Sequence, residues 1–166
     1  FINLNSTGTH TVGSKFKEAV SSTDRNEKII LNVNAASTVN SDADSTIALD
    51  VNVNSTGVTL AFNDVTSNGK VIVGASASVS AGMFEQINDS LRLDRGASLT
   101  LSGTSTDSLI IKGRFYADSG SVLANGGRRI KFSASEDGTE NSFKAEGNAS
   151  FTGTANFVFN GSELDR

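Results

Sequence analysis

Apolar and polar residues alternate along most of the chain, and the alternation returns in steps of about twenty residues. Leu49, Val51 and Val53 fall on one face of a run whose other face carries Asp50, Asn52 and Asn54. The same pattern recurs with Val71 and Val73, Leu91 and Leu93, Leu109 and Ile111, and Ile130 and Phe132. Period-two alternation is the mark of a strand with one buried face. A strand that recurs at a step near twenty is the mark of a solenoid, in which apolar positions stack coil on coil into one continuous interior. The starts at 49, 71, 91, 109 and 130 are separated by 22, 20, 18 and 21 residues, too uneven for a strict hexapeptide or nonapeptide repeat. This drift predicts an all-β fold, a right-handed parallel β-helix whose turns vary in length. One domain is expected over 1–166, with an N-terminal strand and a short capping helix in 1–28 and the coils over 29–166.

The glycines punctuate the pattern. Gly57, Gly74, Gly96, Gly120 and Gly147 each sit between two short alternating runs. They are expected at corners, where a positive φ turns the chain without a Cβ clash. In "GASLTLSG", Gly96 would turn the chain, Ala97, Leu99 and Leu101 would enter the core, and Ser98, Thr100 and Ser102 would face out. Ahead of the coils, Ser14 can cap a helix whose Phe16, Ala19 and Val20 share one face. Such a helix would cover an open solenoid end. An antiparallel sandwich is the competing fold, and "SNGK" at 67–70 and "NGG" at 125–127 are its hairpin signals. The asparagines at 32, 34, 52 and 54 would form amide ladders if adjacent coils align them.

Composition narrows the function. A net charge of −4 without a basic stripe argues against a nucleic-acid partner. No apolar run approaches the length of a membrane-spanning helix, so no membrane insertion is expected. The chain begins at Phe1 with neither an initiator Met nor a signal peptide, which points to a processed form or an excised fragment.

"VIVGASASVSAG", "LRLDRGASLTLSG" and "FKAEGNASFTG", preceded by "SKFKEAV" and "EKIILNV", resemble the secreted β-helical passengers of bacterial surface proteins. These are autotransporter passengers and two-partner secreted adhesins, and the resemblance covers nearly the whole chain. It implies a secreted, extracellular or cell-surface protein of structural or adhesive function. Its implied partners are other copies of itself, end to end or side by side, or glycans and proteins of a cell surface. Such passengers run for many more coils, so this chain reads as a fragment or an assembling subunit.

No catalytic set is visible, so a non-enzymatic protein without cofactor or metal is expected. His10 is the single histidine and is expected to be solvated. No cysteine nucleophile, nucleophile elbow or phosphate-binding loop occurs. Asp50, Arg92, Asp94, Lys112, Arg114 and Lys131 should point outward as solvated charge, although carbohydrate-cleaving β-helices, phage spikes among them, line a groove with such residues. Asp42 and Asp44 supply too few oxygens for a defined calcium loop. A possible interaction face is a better clue. If Val71 and Val73 point in, Ile72 points out, and by the same count so do Ile110 and Tyr116. Stacked on one wall they would form an apolar patch of the kind that marks a partner surface. Phe84 lies with Met83 and Ile87 in "SAGMFEQINDS", an excursion expected to fold over the coil as a loop or short helical turn. Three readings follow: a structural or adhesive surface protein, a self-assembling filament or matrix subunit, and a carbohydrate-binding or carbohydrate-cleaving β-helix.

Overall fold

The alternation becomes three parallel sheets wrapped around one apolar interior. The computed structural model describes residues 1–12, 29–41, 46–47, 49–62, 65–67, 69–81, 84–87, 89–101, 108–133 and 143–160. The first wall holds β1 (Ile2–Leu4), β3 (Ile29–Val33), β6 (Leu49–Val53), β9 (Lys70–Val73), β12 (Ser90–Leu93), β15 (Arg114–Ala117) and β18 (Phe143–Ala145). The second holds β2 (Gly8–Val12), β4 (Ser37–Ser41), β7 (Val58–Ala61), β10 (Ser78–Ala81), β13 (Ser98–Leu101), β16 (Val122–Ala124) and β19 (Ser150–Thr152). The third holds β5 (Thr46–Ile47), β8 (Val65–Ser67), β11 (Phe84–Ile87), β14 (Leu109–Ile111), β17 (Ile130–Ser133) and β20 (Phe157–Asn160). Each strand pairs in parallel with the strand one coil before and one coil after it. The fold is a parallel β-solenoid, and no antiparallel pairing occurs among the described residues.

The sandwich alternative is thereby excluded. Neither of its two hairpin signals joins a pair of antiparallel strands. "SNGK" joins β8 to β9, which belong to different walls, and "NGG" joins β16 to β17 in the same way. The expected coil phase needs one correction. Leu49, Val71 and Leu91 lie in first-wall strands, but Leu109 and Ile130 open strands of the third wall. The connections between walls vary in length, so equal spacing in sequence did not mean equal position in the coil. The excursion holding Phe84 is corrected too: Phe84–Ile87 is β11, with Ile87 buried, because this stretch supplies the third wall of its coil. The capping helix expected within 1–28, with Ser14 as its cap and Phe16, Ala19 and Val20 on one face, lies outside the described residues, as do Asp42 and Asp44.

Inward residues form columns that run the length of the solenoid. Leu31, Val51, Val71, Leu91 and Phe115 stack in register along the first wall, each at most 3% exposed. Each such side chain contributes about 1.5–3 kcal/mol through burial. Toward the C-terminal coils the filling changes from Val and Leu to Phe. Phe115 stacks on Phe143 at 5.1 Å and meets Phe132 edge-on at 5.0 Å. Ala97, Leu99 and Leu101 enter the core while Ser98 and Thr100 face out, as their alternation requires.

Four of the five corner glycines have positive φ: Gly57, Gly96, Gly120 and Gly147. Gly74 does not. It sits one residue beyond its strand and donates to Val53 O, and in its coil Ser76 takes the left-handed conformation at φ 58°. At Gly74 closeness decides instead, since a Cβ there would lie 3.1 Å from Val53 O. The second corner of a later coil is tighter still: a Cβ on Gly126 would fall inside the carbonyl of Leu101. Beside it, buried Asn125 donates from its amide to Ala155 O of the next coil at 2.7 Å.

Candidate functional site

The outer face of the first wall carries two straight columns whose chemistry changes along the axis. The register stacks Asn3, Asn32, Asn52, Ile72, Arg92, Tyr116 and Lys144 in one column. Two residues further on, backbone ladder bonds continue past the strand ends. They align Asn5, Asn34, Asn54, Gly74, Asp94, Asp118 and Glu146 in the second. In the early coils both columns are amide ladders. Asn52 donates to Asn32 at 2.9 Å and Asn32 to Asn3 at 2.8 Å, while Asn54 donates to Asn34 and Asn34 to Asn5. The expected ladders thus form, and they reach one coil further, to Asn3 and Asn5.

After an apolar interruption at Ile72 and Gly74, three successive coils place a hydrogen-bond donor in one column and a carboxylate in the other. Arg92 Nε donates to Asp94 Oδ1 at 2.6 Å. Tyr116 OH donates to Glu146 Oε2 at 3.0 Å, and Lys144 forms an ion pair with Glu146. The guanidinium of Arg92 and the ammonium of Lys144 stand 5.5 and 5.6 Å from the Tyr116 ring centroid, one from the coil before and one from the coil after. Cations over an aromatic face are held by its quadrupole. Asp118 accepts from the Ser119 backbone N–H at 2.6 Å, and Ser119 Oγ donates to Asn148 at 2.9 Å.

These contacts tune three groups. Glu146 is held below the usual carboxylate value, first by the hydrogen bond from Lys144 and then by that from Tyr116. Tyr116 is raised above the usual phenol value, first because its proton is held by Glu146 and then by partial desolvation and nearby carboxylates. Lys144 is raised, chiefly by its hydrogen bond to Glu146.

Of the expected interaction face, Ile72 and Tyr116 share this column two coils apart. Ile110 lies in β14 and Phe84 in β11, both of the third wall. The four residues are therefore divided between two walls. Asp50, Arg92, Asp94 and Arg114 lie along the first wall, and Lys131 lies on the third. Asp50 accepts from the Lys70 backbone N–H at 2.8 Å. His10 pairs in register with buried Val39, so it occupies an inward column and is half-buried, not fully solvated. Its ring reaches Ser6 O at 3.5 Å.

Asp118, Lys144 and Glu146 were not singled out in the sequence. The signal was there: "LRLDRG", "FYADSG" and "FKAEG" each place a donor, a small or apolar residue and an acid just ahead of a corner glycine. Aligning the chain on its glycines would have stacked them.

Among the described residues, no group of three or more His, Cys, Asp or Glu is arranged to hold a metal ion. No helix there is long and apolar enough to cross a membrane. A scan against protein-family models, a search of curated proteins and a search of solved structures each found no match.

Proposed function

We propose that this chain is a non-enzymatic module of a secreted surface protein, structural or adhesive in role, of the kind formed by the β-helical passengers of bacterial adhesins. The observation that carries the reading is the first-wall strip of Arg92, Asp94, Tyr116, Asp118, Lys144 and Glu146. It is outward-facing, mixed in charge and fixed in register by the ladder beneath it. A rigid sheet that presents preordered polar and aromatic groups binds a partner with little ordering cost. The coil is proposed to be right-handed, following the strong preference of parallel crossovers.

Beads coated with the chain test the reading. They should be retained on cell layers, and the double variant Arg92→Ala/Tyr116→Ala should abolish retention. Equal retention of bare and coated beads overturns the proposal, as does retention that survives the double variant.

A second reading is supported by the last described coil. Phe159 is 59% exposed there, and Phe143, Phe151 and Phe157 are only partly buried. Copies that stack coil on coil into a filament would cover these rings and continue the parallel ladders. Sedimentation velocity should then show assembly that increases with concentration, and a strictly monomeric species over a wide range overturns it.

A further inference from the structure

We infer that the first-wall strip is a binding site for a neutral, linear glycan lying along the solenoid axis, one sugar per coil. The inference rests on the reading of this wall as an interaction face and names the ligand class.

Three features of the strip point to that chemistry. The first is its repeat. Arg92 with Asp94, Tyr116 with Asp118 and Lys144 with Glu146 present the same donor-then-carboxylate pair on three consecutive coils. Neighbouring coils are separated by ~4.8 Å, the strand spacing of a sheet. That spacing is close to the length of one pyranose ring with its glycosidic oxygen. A linear glycan along the axis thus meets an equivalent pair at each sugar.

The second feature is charge. Arg92 is paired with Asp94 and Lys144 with Glu146, so the cations are neutralised within their own coils. Asp118 adds a carboxylate. A polyanion on the strip would face the carboxylates of Asp94, Asp118 and Glu146, with both of the strip's own cations already paired to two of them. Vicinal hydroxyls suit the strip better, because they donate to carboxylate and phenol oxygens and accept from the guanidinium and ammonium. The side chains remain accessible for this, with Arg92 and Lys144 each 54% exposed and Glu146 41% exposed.

The third feature is the covered ring. Arg92 and Lys144 occupy the two sides of Tyr116, so neither a sugar face nor an aromatic ligand can stack there. Recognition falls to hydrogen bonds along the edge of the strip, which favours a ligand rich in hydroxyls over an apolar one. The strip is also bounded. On the next coil toward the N-terminus its columns hold Ile72 and Gly74, and beyond them the asparagines satisfy one another. Among the described residues the strip therefore offers three subsites.

Titration of the whole chain with linear oligomers of glucose and of N-acetylglucosamine tests the inference, read by the ring resonances of the single tyrosine, Tyr116. Affinity should rise from the monosaccharide to the trisaccharide and level off beyond it. Tyr116→Phe, which keeps the ring and its packing but removes the reporter and so is titrated by calorimetry, and Asp118→Asn, on the same coil, should each weaken trisaccharide binding at least about fivefold, the effect of one lost polar contact. The inference is overturned if no neutral oligomer shifts these resonances, if polygalacturonate binds more tightly than they do, or if both variants bind like wild type. Loss of bead retention in the Arg92→Ala/Tyr116→Ala variant without any glycan binding would overturn the ligand class and leave the interaction face standing. Retention that ignores the wall would overturn the face itself.

Discussion

Tyr116 is the single tyrosine of a chain without tryptophan, so its phenol can be titrated by absorbance with no other residue contributing. Its proton is held by Glu146, and the carboxylates of Glu146 and Asp118 lie near it, so its ionisation midpoint should lie above the usual phenol value. Glu146→Gln removes a negative charge, and the titration midpoint should fall toward the ordinary value. A wild-type midpoint at or below about 10, or one unmoved by Glu146→Gln, contradicts the arrangement. The stability sign follows from the same contacts. Glu146 is lowered on folding, so its contribution is present above the usual carboxylate value and is lost as pH falls through the lowered one. Tyr116 and Lys144 are raised, so theirs is present below their usual values and is lost as pH rises through the raised ones. Thermal melts should therefore show wild type exceeding Glu146→Gln most clearly between about pH 5 and 10. The corner glycines give a second contrast at this scale. At Gly96 a Cβ has room, with Ser76 Oγ nearest at 3.6 Å, so Gly96→Ala should cost only the left-handed backbone penalty of about 1 kcal/mol. At Gly126 the same backbone penalty is joined by collision with the Leu101 carbonyl, which cannot swing aside without breaking the corner. Gly126→Ala should cost at least about 3 kcal/mol, and melting temperatures that rank the two variants equally would refute this.

Among the elements, the asparagine ladders show how an outer face holds coils together without apolar burial. Asn32 both donates to Asn3 and accepts from Asn52, whereas Asn52 ends its column beside Ile72. Each exposed amide bond is worth about 0.5–1 kcal/mol net. Asn32→Ala should thus lose roughly twice what Asn52→Ala loses, with denaturant midpoints as the measure. The rungs from Asn32 to Asn52 and from Asn34 to Asn54 were legible in the sequence because they span 20 residues, whereas Asn3 and Asn5 lie 29 residues ahead of their partners. The first two walls were legible for a related reason: their strands alternate cleanly and are joined by short corners of fixed form. The third wall was not. β5 and β8 are only two and three residues long, too short for a period to register. β14 and β17 alternate well enough, but the varying connections around them hid which wall they belong to, so Leu109 and Ile130 read as starts of coils. The candidate site was half legible for the same cause. Outward direction follows from alternation within one strand, as for Ile72 and Tyr116, but which outward residues stand side by side depends on coil length. Tyr116 pairs with Arg92 before it and Lys144 after it across coils that no longer keep the twenty-residue step. The corner glycines Gly120 and Gly147 carry the register that joins Tyr116 to Glu146, but alternation alone does not divide Tyr116 from Ile110.

Across the whole molecule, stability is nearly one-dimensional, because each coil touches chiefly the coil before and the coil after. Damage to one coil should stay near it. Phe115 is the place to test this, since it is 1% exposed and its ring meets Phe132, Phe143 and Phe151 of its own and the following coil at 5.0, 5.1 and 5.9 Å. Phe115→Ala removes the ring on which the later aromatic filling rests and should cost about 3–5 kcal/mol. In a globular core that loss would be shared by the whole domain. Here it should appear as faster amide exchange in β15 to β20, with β3, β6 and β9 close to their wild-type protection. Those early strands stack on Val and Leu and on the asparagine ladders, none of which touches the lost ring. Hydrogen-exchange mass spectrometry separates the cases, because the two sets of strands fall in different peptides. A uniform rise in exchange from β3 to β20 would mean that the solenoid unfolds as a single cooperative unit, and the coil-by-coil account would then be wrong.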